Sequence, residues 1–163
     1  MTINGITDGI IVAVIVAGVG ASFRRVFGQR IEITHPRPQE SLTDPEALGD
    51  GFAYPVRGTL KRLPKGHQIW LLTQDDSKGS VWPQGFFPVE YNPSQGTWMG
   101  KINGSGKPNV RIVAVVAPSS SQDFFRYFQK LGQLRNNDFE PLPRVPPECV
   151  NQDSVQARIP NLK

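Results

Sequence analysis

Two histidines, one cysteine and one pair of adjacent aspartates are the side chains of this sequence with the widest chemical reach. His35 and His67 lie on different predicted strands, and neither has a carboxylate or cysteine at a spacing that builds a metal site or a nucleophile motif. Both read as surface or rim histidines. Cys149 comes just after Pro146-Pro147 with no activating base close in sequence. As the single cysteine, it excludes an intrachain disulfide and a Cys-pair zinc site. Asp75-Asp76 would attract a cation, but neighbouring carboxylates in a strand point to opposite faces, so a solvated loop end is expected. Gly104-Ser105-Gly106-Lys107 has the look of a phosphate loop, yet it lacks the full spacing and precedes a strand rather than a helix. A turn is the better reading. The P-loop, dinucleotide, H-E-x-x-H and G-x-S-x-G patterns are missing. Pro143-Arg144-Val145-Pro146 fits only a generic P-x-x-P pattern in a proline-rich connection. The chemistry expected is recognition, with no enzyme activity and no cofactor. Its best carrier is Trp82-Pro83-Gln84-Gly85-Phe86-Phe87-Pro88, whose aromatics exceed what one alternating strand can bury on a single face. Trp82, Phe86 and Phe87 are therefore the candidate partner surface, the alternative being that they cover the open end of the domain.

The elements that must position these residues are short strands. Fifteen prolines and sixteen glycines beside nine phenylalanines and three tryptophans indicate many turns between apolar strands. Arg30 to Thr34 alternates as a first strand, and Pro36 to Asp50 reads as a loop or linker. Phe52 to Leu60 is a second strand, weakened at Pro55, and Leu63-Pro64-Lys65-Gly66 turns the chain into a third, His67 to Thr73. Apolar on both faces at Ile69 to Leu72, that strand should be central, with Trp70 at the heart of the core, buried between the sheets. Val81 to Tyr91 is a broken aromatic strand region, expected to pair as a hairpin with Thr97 to Ile102, where Trp98, Gly100 and Ile102 share a face. Val110 to Ala117 is another central strand. A helix follows, capped by Ser121, with Phe124, Tyr127, Phe128 and Leu131 on one face and Gly132 at its end. Cys149 to Ile159 closes a count of about seven strands. The net charge of +4 is spread among 18 basic and 14 acidic residues, which argues against a nucleic-acid partner.

The first 27 residues differ in kind. Ile3 to Phe23 carries Asp8 as its only ionisable group, and at 1.5 Å per residue it spans roughly 30 Å, one bilayer crossing. A signal peptide would need basic residues before the apolar run, whereas Arg24, Arg25, Arg30 and Arg37 all follow it. A soluble core helix is the third option. As an anchor, the segment places its N-terminus outside and the domain of residues 28–163 in the cytoplasm, with Arg24 and Arg25 at the membrane interface. The alternative puts the domain on the exported side. Asp8 then caps the outer end of the helix. Gly5, Gly9, Ala13, Ala17 and Ala21 recur every four residues and form a ridge on which an integral membrane partner or a second copy could pack closely.

Val56-Arg57-Gly58-Thr59, then Leu63 to Leu71 with Trp70, then Trp82-Pro83-Gln84-Gly85 and Thr97-Trp98, resemble a widespread, poorly characterised prokaryotic domain similar to an immunoglobulin-like sandwich. The aromatic helix from Phe124 to Leu131 matches its later part. The resemblance covers roughly residues 31–159 and rests on core and turn positions, so it implies fold and no catalytic residue. It also implies company with membrane helices or signalling modules. The expectation is a mainly β, immunoglobulin-like sandwich behind one transmembrane helix, acting as a non-catalytic accessory subunit or adaptor that contacts the lipid bilayer and a protein partner. A ligand-sensing signalling or defence effector and an exported envelope-binding domain are the alternatives.

Overall fold

A computed structural model describes residues 30–48, 51–75, 77–84, 89–104 and 108–160 of the protein. The ridge Gly5, Gly9, Ala13, Ala17 and Ala21, the anchors Arg24 and Arg25, and Phe86 and Phe87 lie outside the described residues. Among the described residues no helix is long and apolar enough to cross a membrane.

The described residues are mainly β, with two antiparallel sheets and one helix. Its strands are β1 (Glu32–His35), β2 (Glu46–Leu48), β3 (Gly51–Thr59), β4 (Gln68–Gln74), β5 (Val81–Pro83), β6 (Glu90–Asn92), β7 (Thr97–Asn103), β8 (Asn109–Ala117) and β9 (Val150–Arg158), with α1 (Ser119–Leu134) between the last two. One sheet runs β1-β3-β7-β6, with β2 also paired to β3, and the other runs β5-β4-β8-β9. Among the described residues nine strands replace the expected seven, for two reasons. The proline-rich stretch contains β2, and the aromatic region splits, β5 pairing with β4 while β6 pairs with β7 in the opposite sheet. Only the β6 half forms the expected hairpin. Its turn is held by Asn92, whose Oδ1 accepts from the Ser94 N–H at 3.1 Å and hydroxyl at 2.7 Å, and by Gly96 at φ 64°, a conformation that suits glycine. Pro55 does not interrupt β3. It falls between the residues paired with β2 and those paired with β1, where no ladder on that side needs its missing N–H.

Alternation along β4 and β8 then separates two apolar layers. Ile69, Leu71, Ile112, Ala114 and Val116 face the other sheet, meeting Tyr54, Val56, Trp98 and Ile102. Trp70, Leu72, Val113 and Val115 face outward, under Phe125 of α1 and Leu142. Both strands are covered on both faces, as their apolar runs, broken in β8 only at Arg111, predict. Trp70 is buried, but in the layer beneath the helix, its ring centroid 5.0 Å from that of Phe125. The expectation that it lies between the sheets fails by one residue of parity. The inter-sheet tryptophan is Trp98, which crosses the bare backbone of Gly58; a Cβ there would stand 2.2 Å from its ring.

The helix also turns a different face to the sheet. Phe125 is fully buried and Phe128 packs with it, together with Ser121 and Gln122, while Phe124 and Tyr127 are exposed. Two apolar stripes run along this helix, and sequence periodicity alone chose the outer one. Ser121 is not the cap: α1 starts at Ser119 after Pro118, and the Ser119 hydroxyl and the Gln122 amide both donate to the Gly66 carbonyl, at 3.2 and 3.1 Å. Gly132 lies inside α1, where the Phe139 ring covers it.

Each rim of the β5-β4-β8-β9 sheet is occupied over part of its length. Beyond β9, Gln39 N–H donates to Gln156 O at 2.7 Å and Leu42 N–H to Arg158 O at 2.8 Å. Beyond β5, Val81 and Leu142 exchange backbone hydrogen bonds of 2.9 and 2.8 Å.

Candidate functional site

Where the chain passes from one sheet to the other, the end of the sandwich opens into a cleft of about 510 Å³. Its walls come from four places: the end of β4 at Thr73 to Asp75, β5 with Trp82 and Pro83, the end of β7 at Asn103, and the start of β8 at Asn109 to Arg111. Phe139, from the segment after α1, closes one side. The volume falls in the roughly 300–1,000 Å³ range of pockets that hold small ligands or a few side chains of a partner.

Trp82, the one described member of the candidate partner surface, is built into this cleft rather than left on an open face. Its indole N–H donates to the Phe139 carbonyl at 3.1 Å, and the ring is half-buried. An aromatic ring fixed at its polar edge presents area to a ligand with little further entropy to lose. Gln84 organises the opposite wall. Its Nε2 donates to Thr73 Oγ1 at 3.1 Å and to the Trp82 carbonyl at 3.3 Å, and its Oε1 accepts from the Asn103 N–H at 3.0 Å. One side chain thus ties the β4 sheet to the β7 sheet at the mouth of the cleft. Asp75 and Arg111 add one charge of each sign to the lining. Asp75 also closes its own turn, accepting from the Ser77 N–H at 2.9 Å and hydroxyl at 2.6 Å. The result is an aromatic floor with dispersed polar groups, an arrangement that recognises a shape and a few hydrogen bonds.

The other reactive side chains are scattered. His35 Nδ1 lies 3.5 Å from Glu40 on the edge of the first sheet, and His67 Nδ1 lies 3.1 Å from the Lys65 carbonyl. Among the described residues no group of three His, Cys, Asp or Glu side chains converges. Cys149 borders a separate cavity of about 720 Å³ beside Arg144, Pro146, Pro147 and Arg30. Burial pushes its thiol above the ordinary range, a hydrogen bond with the Ser121 side chain works against that, and the Glu148 charge adds to it. The net effect favours the neutral thiol over the thiolate. Asp76 and residues 105–107 of the turn motif lie outside the described residues.

Sequence reasoning missed Gln84 as the clamp, along with Asn103, Arg111 and Phe139. Arg111 carried a signal, as the lone charge in an otherwise apolar strand. Phe139 had none, because only the path of the chain after α1 brings it to Trp82. Comparison with family models, curated proteins and solved structures returns no match for this chain.

Proposed function

We propose that this chain is a membrane-anchored, non-catalytic adaptor whose β domain holds a short segment of a partner protein in the Trp82 cleft. The observation that carries the reading is the fixed indole facing a polar wall at an open end of the sandwich. A cleft of this volume accepts two or three side chains, with Trp82 as an aromatic anchor of the kind that dominates binding energy. The domain is of immunoglobulin-like type. In support, β1-β3-β7-β6 facing β5-β4-β8-β9 reproduces the A-B-E-D and C′-C-F-G orders of such folds, with α1 inserted before the last strand. The anchor reading rests on the apolar run Ile3 to Phe23 and the arginines after it, which favour a cytoplasmic domain. The ridge from Gly5 to Ala21 gives the anchor a face for close packing with an integral membrane partner or a second copy.

The test is recovery of partners by the full chain in mild detergent. Asn109→Trp fills the cleft from its exposed rim without removing a core contact, and should lower recovery of a cleft-bound partner by at least about tenfold. Unchanged recovery, with the thermal midpoint also unchanged, refutes the cleft as the binding site. Ala13→Leu with Ala17→Leu should instead remove partners held through the helix.

A further inference from the structure

The outer stripe of α1 remains without an occupant. Phe124, Tyr127, Leu131 and Leu134 follow one another by three, four and three residues, so they line up along the helix. Phe124 is 43%, Tyr127 61% and Leu134 74% exposed. The only other large apolar side chains exposed among the described residues are Phe52 and Met99, both on the other sheet. The apolar exposure is therefore concentrated on one helix face, which marks a contact surface. Lys130 and Arg135 flank the stripe on either side, and the carboxylates of Asp123 and Glu140 beside it are paired with Arg126 at 3.0 Å and Arg135 at 2.6 Å.

The route of the chain points to what covers this face. Arg30, the first described residue, borders the cavity beside Arg144, Pro146 and Pro147, and these same three residues border the cavity at Phe124. The chain thus reaches the domain on the layer that carries the stripe. Only Arg24 to Gln29 separate Phe23 from Arg30, and at about 3.5 Å per residue this connection spans at most about 25 Å. We infer that the stripe lies in the headgroup boundary of the bilayer that holds the N-terminal segment, an inference that rests on the anchored reading above. Phenylalanine and leucine enter the acyl edge, the Tyr127 hydroxyl stays at headgroup level, and Lys130 meets lipid phosphates. The anchor and the helix then hold the domain at two points, which fixes its orientation and turns the β3-β7 sheet away from the membrane.

The experiment uses the full chain, reconstituted in vesicles of phosphatidylcholine and phosphatidylserine. A polarity-sensitive dye is attached at Tyr127→Cys in a Cys149→Ser background, with Leu134→Cys as a second reporter and Met99→Cys as the control on the opposite sheet. Quenching by nitroxides carried on the lipids should be at least about threefold stronger at positions 127 and 134 than at 99. Equal, weak quenching at all three positions, in a chain that resists alkaline carbonate extraction, overturns the inference and leaves the anchor standing. Release of the chain by carbonate removes the anchor and the inference together. Positions 127 and 134 shielded from aqueous iodide but not reached by lipid nitroxides would assign the stripe to a protein partner or a second copy, and would also overturn it.

Discussion

Gly132 sits inside α1, where alanine ordinarily favours a helix over glycine by about 1 kcal/mol. At this position the sign should reverse. A Cβ on Gly132 would stand 2.1 Å from one ring carbon of Phe139 and 2.7 Å from the ring carbon that joins the ring to its own Cβ. Spinning the ring about its axis gives no relief, so the whole side chain must withdraw. The Phe139 backbone carbonyl accepts the Trp82 indole N–H, so a withdrawal that carries the backbone with it reaches the cleft. Overpacking costs about 1–3 kcal/mol and a lost hydrogen bond about 0.5–1.5 kcal/mol, against about 1 kcal/mol gained in propensity. Gly132→Ala should therefore destabilise by about 0.5–3.5 kcal/mol. In a Phe139→Ala background the same methyl meets no ring, and the change should stabilise by up to about 1 kcal/mol. Urea unfolding of the full chain in mild detergent, followed by far-ultraviolet circular dichroism, reads both signs. If Gly132→Ala raises the midpoint with Phe139 present, or has the same sign in both backgrounds, then Phe139 is not seated on the helix and the wall of the cleft is wrongly assigned.

Trp70→Ala should cost about 3–5 kcal/mol and raise amide exchange in α1 more than in β3 and β7, because its ring lies under the helix. An equal rise across the inter-sheet strands would return Trp70 to the central core. Gln84→Leu keeps the bulk but leaves the Asn103 N–H without its acceptor, at a cost of about 1–3 kcal/mol; an unchanged unfolding midpoint would remove Gln84 as the clamp. The raised Cys149 pKa makes the neutral thiol a stabilising form, fully effective below the unfolded value of about 8.5 and lost as pH rises through the higher folded value. Cys149→Ser should flatten this alkaline loss of stability, and a folded chain whose thiol alkylates as fast as the unfolded one would contradict the protection.

The turns were the most legible part of the fold. Pro64-Lys65-Gly66 and Asn92 to Gly96 carry their instructions locally, through a preset proline dihedral, an Asn side chain that closes on its own backbone and a glycine at positive φ. The central strands were equally plain, since an apolar run such as Val110 to Ala117, broken only at Arg111, needs cover on both faces. Parity was not legible, because a strand apolar on both sides does not say which side meets the other sheet; for that reason Trp70 lies under the helix and not between the sheets. The helix face was ambiguous in the same way, with aromatics at both 124/127 and 125/128. Only tertiary packing chose Phe125. Of the cleft, Trp82 stood out by composition, whereas Asn103 and Phe139 are brought to it by pairings 19 and 57 residues away in sequence from Gln84 and Trp82.

The occupied rims of the β5-β4-β8-β9 sheet bear on how many copies can share a surface. A bare strand edge is a template, and chains tethered in two dimensions meet one another far more often than chains free in solution. With Leu142 bonded along Val81 and Gln39 to Leu42 bonded along the Gln156–Arg158 end of β9, a neighbour could not extend the sheet at those stretches without displacing bonds already made. Copies held close by an anchor would find those stretches already paired, which lowers the number of places where a spreading β aggregate could start.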